Sequence, residues 1–210
     1  MSFTIDAIRK RSRLPHWDVR NGIYALTTHL GDALPLEARL RIRQRMEHEL
    51  DQIRRQRRDV TMAEQTAARQ RYHRRLNALL DRGYGECVLR DPRAARIVAD
   101  ALTRFDDQRY VLFSWSVMPN HFHAVFRCIE PHALADVVQG WKSASVHRVN
   151  RALGRKGNLW EEDYWDRTIR DEKHFRASVD YVLSNPAKVG LRDWPFARVY
   201  PERVAQVLGY

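Results

Sequence analysis

The sequence predicts an α+β fold in which helices pack on one antiparallel sheet. Residues 109–118 and 121–126 are the clearest strands, and the short Pro-Asn link between them indicates an antiparallel hairpin. Residues 131–153 have the apolar spacing of an amphipathic helix. The predicted order is a strand, a helical segment, a helix, the hairpin, and then a helix, a strand and a helix, which is typical of an α+β sandwich.

The N-terminal part of the chain begins with a basic stretch. We expect residues 1–20 to be irregular, with a compact turn at "RLPHWD". Residues 22–30, "GIYALTTHL", are rich in β-branched and aromatic residues and predict the first strand. Residues 36–80 are helical in composition and rich in arginine, so they form either a solvated helix pair or a DNA-contacting surface.

The helices after this segment are predicted from their ends. Asp91 and Pro92 match an N-cap and a first helical position, so a helix begins there and ends near Phe105. The sequence "GRKGN" ends the helix over 131–153.

The last third of the chain predicts one strand and one helix. Residues 159–170 are strand-like, and residues 171–191 begin with Asp171 as a helix cap. We expect Pro186 to end this helix, because proline lacks the backbone N–H that a helix interior needs. The tail after residue 191 has little strong pattern.

Composition and charge narrow the class of protein. The chain has 210 residues, 44% of them hydrophobic, which suits one domain over 1–210 with a helical insertion at about 36–80. A formal net charge of +11 suggests a polyanionic partner, with nucleic acid the leading candidate. The sequence has no long apolar run or secretory signal, and its two cysteines are far apart, so we expect a cytoplasmic protein without a membrane role.

Two histidines one residue apart occupy the second strand of the hairpin. Side chains alternate across a strand, so His121 and His123 share one face with Val125, while the other face is apolar. Two neutral imidazoles on one face can bind a single divalent ion. About 0.4 such pairs are expected by chance in this composition, so the pair alone does not establish a site.

Tyr181 and Asn185 supply further polar groups on the last predicted helix. They are four residues apart and therefore lie on one helical face. Near the helix end, the Asn185 amide oxygen could reach an ion or a backbone group. Taken separately, each has an ordinary structural explanation, as a half-buried core tyrosine and as a helix-end residue.

In combination, these segments resemble a known family. "RLPHWD", "MPNHFH", "WKSAS", "YWDRTIRDEKHF" and "YVLSNPAKVGL" occur in the order found in the REP-associated tyrosine transposases, within the HUH single-strand DNA transposases and nucleases. The resemblance covers most of the chain from about residue 11 onward, although segment 36–80 is longer than in the shortest members. It implies a ferredoxin-like catalytic domain with the histidines on a central strand.

The resemblance also assigns a role to each candidate residue. Tyr181 matches the nucleophile, and His121, His123 and Asn185 match the protein ligands of a divalent metal, Mg²⁺ or Mn²⁺. Each candidate lysine for DNA binding is equally well explained as a solvated surface residue. The candidate DNA contacts are Lys142, Lys188, Arg54, Arg55, Arg57 and Arg58.

The implied function is cleavage and rejoining of single-stranded DNA at REP-like hairpins by a metal-dependent endonuclease and transposase, associated with the nucleoid. The intermediate would be a 5′-phosphotyrosine, which preserves the energy of the phosphodiester so that the strand can be rejoined. Two imidazoles and one amide oxygen leave open positions for phosphate and water, and this mixed set suits magnesium or manganese.

Two other classes of function stay open at this point. A hydrolytic metalloenzyme that used the same histidines with zinc or iron would need a third histidine or a carboxylate. A non-catalytic sequence- or hairpin-specific DNA-binding protein, derived from such a transposase, would keep the fold with an idle site. The sequence specifies neither the hairpin, nor a monomer or homodimer, nor whether the protein mobilises its own gene or serves the host.

Overall fold

The computed structural model describes residues 5–9, 16–56 and 59–210, and the chain divides into two units, Met1–Gly31 with Val88–Tyr210, and Asp32–Cys87. The strands are β1 (Ile5–Arg9), β2 (His16–Val19), β3 (Ile23–His29), β4 (Tyr110–Val117), β5 (His121–Cys128), β6 (Trp165–Thr168) and β7 (Ala197–Val199). The helices are α1 (Leu36–Gln56), α2 (Met62–Leu80), α3 (Pro92–Thr103), α4 (Leu134–Leu153), α5 (Glu172–Lys188) and α6 (Pro201–Leu208).

The larger unit is built on a five-stranded antiparallel sheet in the order β6-β3-β5-β4-β7. Apart from α1 and α2, which lie between β3 and α3, the elements β3, α3, β4, β5, α4 and β6 follow one another as βαββαβ. Their strands lie in the sheet in the order fourth, first, third, second. This is the ferredoxin-like arrangement, so the predicted fold class is confirmed. The hairpin predicted across Pro119 and Asn120 is also confirmed, and it makes β5 the central strand.

One face of the sheet packs against α4 through a cluster of aromatic rings. The Trp141 ring lies 5.0 Å from that of Tyr110 and 4.8 Å from that of Phe126, measured between centroids. Helix α3 begins where the sequence predicts, because Pro92 is its first residue and the Asp91 carboxylate accepts a hydrogen bond from the Arg93 N–H at 2.8 Å.

The opposite face of the sheet is covered by α5. The rings of Phe113 on β4 and Phe175 on α5 meet edge to face, with centroids 5.2 Å apart. Val125 belongs to this cluster, so the face of β5 that carries His121 and His123 is the face that α5 covers. The buried members of the cluster are Ile23, Phe113, Val125, Ile169, Phe175, Val179 and Val182.

The prediction that Pro186 ends the last predicted helix is wrong, since α5 continues to Lys188. A proline this close to a helix end removes few intrahelical hydrogen bonds, and the last turn closes around it. The N–H groups of Val189 and Leu191 both donate to the Pro186 carbonyl, at 3.2 and 3.0 Å.

Three further expectations are corrected by the structure. Residues 1–20 are not irregular throughout, because β1 and β2 pair as a separate two-stranded sheet. Only Trp165–Thr168 within 159–170 is a strand. The tail forms β7 and α6. These elements are short, and tertiary pairing decides such elements more than local pattern does.

The smaller unit contains α1 and α2, so the prediction of helices over 36–80 is confirmed. Glu49 on α1 accepts hydrogen bonds from Arg71 at 3.0 Å and Arg75 at 3.2 Å, both on α2. Burial acts to raise the pKa of this carboxyl, but the two guanidinium groups outweigh it and hold the pKa below its usual value. A single domain with an insertion stays a prediction. No helix among the described residues is sufficiently long and apolar to cross a membrane.

Candidate functional site

The two histidines of β5 face each other beneath α5. His121 and His123 are each 1% exposed, and their Nε2 atoms are 3.0 Å apart. Their rings meet nearly edge to face, with centroids 4.6 Å apart and an angle of 78° between the planes. The predicted pair is therefore buried and in direct contact on the central strand.

Each imidazole is held by a polar neighbour at its other ring nitrogen. Nδ1 of His121 lies 2.7 Å from the amide oxygen of Asn120, and Nδ1 of His123 lies 2.8 Å from the hydroxyl oxygen of Thr27. Such outer partners fix the orientation of metal-binding imidazoles and turn the Nε2 atoms toward a common point.

The environment of His123 keeps its ring neutral. Burial lowers the pKa of His123 to about 3, and the positive charge of Lys188 acts in the same direction, while the backbone carbonyl of Leu26 opposes both. A neutral imidazole is the form that binds a metal ion.

Tyr181 reaches the histidines from α5. Its ring centroid lies 5.2 Å from that of His123, and the Nζ atom of Lys188 lies 4.3 Å from the centre of the tyrosine ring. The helix is fixed beneath this point by Val179 and Val182, which belong to the core. The structure thus brings together the two predicted histidines, the predicted nucleophile and one of the predicted lysines.

Asn185 lies one turn beyond Tyr181 on α5 and is fully buried. Within the described part of the chain, neither its amide oxygen nor its amide nitrogen has a hydrogen-bond partner. Burying such a group without a partner costs about 1–3 kcal/mol, so an orphaned amide needs a compensating ligand. An amide oxygen is the kind of donor that a hard divalent ion takes.

The geometry of the imidazole pair also fits such an ion. Two ligands about 2.1 Å from one ion, placed at right angles as in an octahedral site, lie about 3.0 Å apart. The Nε2 atoms of His121 and His123 have this separation. Elsewhere, the described residues form no group of three or more His, Cys, Asp and Glu side chains suited to a metal. That the two imidazoles and the Asn185 amide bind one metal ion stays a prediction.

Lys142 occupies a different environment from the one predicted for a DNA contact. Its ammonium donates to the backbone carbonyls of Glu161, Glu162 and Asp163 at 2.8, 3.0 and 3.4 Å, and the residue is 7% exposed. Burial lowers its pKa to about 8, opposed by the acidic side chains of the same segment. Lys142 therefore anchors the chain that leads into β6, and its role toward DNA stays a prediction.

The predicted arginines lie in the smaller unit. Arg54 and Arg55 are exposed near the end of α1, and Arg54 pairs with Asp51 at 2.7 Å. Arg57 and Arg58 lie outside the described residues. Their contacts with DNA stay a prediction.

Sequence reasoning missed the residues of β3 and of the hairpin link that surround the histidines. Thr27 pairs in register with His123, and the buried His29 pairs in register with His121, with its Nδ1 2.9 Å from the Leu30 carbonyl oxygen. The signal was present, because polar residues recur at alternate positions in the apolar sequence "GIYALTTHL".

Comparison with known proteins agrees with the motifs. Residues 87–185 match the family model described as "Transposase IS200 like". The chain is 32% identical over 95 residues to the REP-associated tyrosine transposase of Escherichia coli K12. That alignment covers 43% of this chain and 55% of that protein. It is 34% identical over 65 residues to a putative REP-associated tyrosine transposase of Haemophilus influenzae. That alignment covers 25% of this chain and 37% of that protein. The matches thus span about half or less of these curated relatives.

A solved structure has the same fold. It is described as the structure of the REP-associated tyrosine transposase bound to a REP hairpin, and it aligns with a TM-score of 0.50 and 20% sequence identity. The alignment covers 94% of this chain and 87% of that one. The resemblance predicted from the motifs is confirmed by these matches.

Proposed function

We propose that this chain, whose residues 87–185 match the family model described as "Transposase IS200 like", cleaves and rejoins single-stranded DNA through a 5′-phosphotyrosine intermediate. One observation carries the proposal. The Tyr181 ring packs against His123, and His123 belongs to a pair of buried imidazoles whose Nε2 atoms are 3.0 Å apart. A nucleophile beside two imidazoles that can bind one metal ion is an arrangement suited to phosphodiester cleavage.

The reaction is a transfer of the phosphoryl group to tyrosine. The phenol of Tyr181 gives up its proton as its oxygen forms a bond to phosphorus, the bond from phosphorus to the 3′ oxygen breaks, and the 3′ oxygen takes up a proton. The DNA end downstream of the cut stays attached through its 5′ phosphate, and the upstream end leaves with a free 3′ hydroxyl. Attack by that or another 3′ hydroxyl on the phosphotyrosine reverses the step and rejoins the strand.

The metal ligands in this proposal are Nε2 of His121, Nε2 of His123 and the amide oxygen of Asn185. Magnesium or manganese bound there would withdraw negative charge from the scissile phosphate. The chain's own residues set up the attack. Asn120 and Thr27 hold the imidazoles, and α5 carries the nucleophile one turn from Asn185, so the third ligand and the attacking group share one rigid element.

The proposed partner is single-stranded DNA that folds into REP-like hairpins. The net charge of +11 favours a polyanion, and the relative of the same fold is described as bound to a REP hairpin. The phosphate backbone supplies most of the affinity of such complexes, so exposed arginines and lysines are the groups that would contact it.

The test is covalent capture of labelled DNA by the full chain. Single-stranded oligonucleotides tiled across the hairpins that flank the gene are incubated with Mg²⁺ and run on a denaturing gel. A 3′ label should move into a protein adduct, while a 5′ label should appear in a shorter free strand. Free fragments from both labels would indicate a hydrolase, and no cleavage with tight binding would indicate the non-catalytic DNA-binding protein.

The nucleophile is identified by two matched tyrosine variants. Tyr181→Phe keeps the ring that contacts His123 and Lys188, so it should abolish the adduct and leave DNA affinity nearly unchanged. Tyr164, the next candidate, has its ring 5.4 Å from the Lys142 ammonium, and Tyr164→Phe should keep the adduct. The reverse result would move the nucleophile to Tyr164.

A further inference from the structure

Ser116 on β4 lies beside the histidine pair, on the side of β5 opposite β3. The register of the sheet pairs Ser116 with His123, and it pairs Thr27 with His123 from the other side. Residues directly opposite each other in an antiparallel sheet share one face, with Cβ atoms about 4.5–5.5 Å apart. His123 therefore has a hydroxyl residue on each neighbouring strand, and both lie on the face that α5 covers.

The two hydroxyl groups differ in their hydrogen bonds. The hydroxyl oxygen of Thr27 lies 2.8 Å from Nδ1 of His123, whereas that of Ser116 has no hydrogen-bond partner within the described residues. Ser116 is nevertheless 0% exposed. Burying a hydroxyl without a partner costs about 1–3 kcal/mol, so such a group requires an explanation, and a bound ion with its water is one.

A second serine on β4 has the same burial but different neighbours. Ser114 is also 0% exposed, and its hydroxyl also lacks a partner in the described part of the chain, but it pairs with Val125 of the apolar cluster. Ser116 instead pairs with His123. Helix α5, which covers the same face, carries the buried Asn185 amide, whose two polar atoms lack partners among the described residues. Two elements therefore bring unpartnered polar side chains to the face that carries the histidine pair.

The hydration of a divalent ion provides a partner for such a hydroxyl. Magnesium takes an octahedral set of oxygen and nitrogen ligands and usually keeps several waters when the protein supplies few of them. Two imidazoles and one amide oxygen leave positions for water. A water bound to a cation is a good hydrogen-bond donor, and a serine oxygen has two lone pairs with which to accept.

We propose that Ser116 is a positioning residue of the metal site, whose hydroxyl accepts a hydrogen bond from a water molecule bound to the ion. The inference rests on the proposed metal site. Asn120 and Thr27 hold the imidazoles through their Nδ1 atoms, whereas Ser116 holds a water in the remaining part of the coordination shell. Outer partners of this kind change the affinity of a metal site as well as its activity.

The test is binding of Mn²⁺ to the full chain without DNA, measured by isothermal titration calorimetry. Ser116→Ala should raise the Kd for Mn²⁺ by about tenfold, because loss of an outer partner weakens a metal site by about 10- to 100-fold. Ser114→Ala makes the same change two residues away on the same face and should keep the wild-type Kd. Neither variant should melt at a lower temperature in EDTA, since each loses a hydroxyl without a partner within the described residues.

A spectroscopic measurement separates this role from general effects of packing. Electron–nuclear double resonance on the bound Mn²⁺ detects the protons of water molecules in its coordination shell. Their couplings should differ from those of the wild type in Ser116→Ala and should be unchanged in Ser114→Ala. An equal change of the Kd and of the couplings in Ser114→Ala would assign the effect to packing of β4 and would overturn the inference.

His123→Ala distinguishes failure of this inference from failure of the proposed metal site. If Ser116→Ala has the wild-type Kd and couplings while His123→Ala loses Mn²⁺ binding, then Ser116 has no such role and the proposed metal site stands. The inference is also wrong if Ser116→Ala keeps the wild-type Kd but forms the DNA adduct slowly at saturating metal, since the hydroxyl would then contact the DNA. If His123→Ala binds Mn²⁺ as tightly as the wild type, the proposed metal site fails and this inference fails with it.

Discussion

The ammonium of Lys188 lies over the Tyr181 ring, 4.3 Å from its centre, and the two residues are separated by two turns of α5. A cation in this position fixes the plane of the ring and stabilises negative charge that develops on it during attack. At an exposed lysine the interaction is worth about 0.5–1 kcal/mol, so Lys188→Met should slow adduct formation by about two- to fivefold under single-turnover conditions with saturating DNA.

Two further variants serve as comparisons for the rate of adduct formation in Lys188→Met. Lys188→Arg keeps a cation that can stack on the ring and should retain most of the rate. Lys173 is exposed at the start of the same helix, so Lys173→Met controls for the removal of a charge from α5. An equal reduction of the rate in Lys173→Met would assign the effect to the overall charge rather than to the cation over the ring.

The arginine-rich segment gives a second prediction. Arg54 and Arg55 are exposed, and the ion pair of Arg54 with Asp51 is a surface pair of little strength, so both side chains are available to phosphates. Replacing Arg54, Arg55, Arg57 and Arg58 by alanine should weaken hairpin binding and flatten its salt dependence. The slope of log K against log salt should change by about 0.7 for each phosphate of the single strand that the protein no longer neutralises.

The control for this variant is Arg93→Ala, which removes an exposed arginine of the larger unit that is paired with Asp91 at 2.7 Å. Alanine is a strong helix former, so helix α1 should persist in the fourfold variant, as circular dichroism can verify. An unchanged slope would mean that these arginines only solvate a helix face.

Some parts of the site could be predicted from sequence because their signals are local. The alternation of His121, His123 and Val125 and the spacing of Tyr181 and Asn185 each lie within one element, and the structure places each set on one face as predicted. The chemical roles of these residues stay a prediction.

Other parts depend on interactions between distant elements. Thr27 meets His123 across 96 positions of sequence, and only the register of β3 against β5 brings them together. Lys142 is a second example, since its ammonium donates hydrogen bonds to carbonyls about twenty residues further along the chain. Pattern reasoning sees the residue types but not these pairings, which packing decides.

Lys142 therefore supports a prediction about stability. Lys142→Met keeps the apolar stem and removes the donor to three carbonyls, so the free energy of unfolding should fall by about 1–3 kcal/mol. The salt dependence of DNA binding should not change. Lys156→Met, at an exposed position after α4, serves as the control. A reduced salt slope in Lys142→Met, with normal stability, would instead place this lysine on a phosphate.

The stability of the metal-free protein should depend on pH through His174. Burial lowers its pKa to about 4, and the charges of Arg167 and Arg170 add to this, against the opposing charge of Asp171. The unfolded chain has the ordinary pKa of about 6.5, so it takes up the proton first as the pH falls. The contribution of His174 is complete above pH 6.5 and is lost toward pH 4, with a slope of at most about 1.4 kcal/mol per pH unit.

Urea titrations in EDTA at pH 7, 6, 5 and 4 measure this dependence. His174→Asn should flatten the curve over that window relative to the wild type. Both proteins keep a parallel contribution from His123, whose pKa is about 3. A slope in His174→Asn equal to that of the wild type would contradict the shifted pKa.

Variants of Asn185 distinguish a metal ligand from a residue that only ends a helix. Its amide is fully buried and lacks hydrogen-bond partners within the described residues, so in metal-free protein it is a burden on stability. Asn185→Leu, which has similar volume and no polar atom, should therefore unfold in EDTA at the same temperature as the wild type or a higher one. The same variant should bind Mg²⁺ and Mn²⁺ more weakly, by about 10-fold or more, and should form the adduct slowly.

Asn185→Ala, measured across a titration of both metals, tests the same role in a second way. Shortening the side chain leaves room for water to take the place of the amide oxygen, so cleavage should recover in part at high metal concentration while the melting temperature stays normal. A helix-end residue would show the opposite pattern, with a lowered melting temperature and full cleavage at ordinary metal concentrations. That pattern would remove Asn185 from the site and leave the ion on His121, His123 and a group from another element.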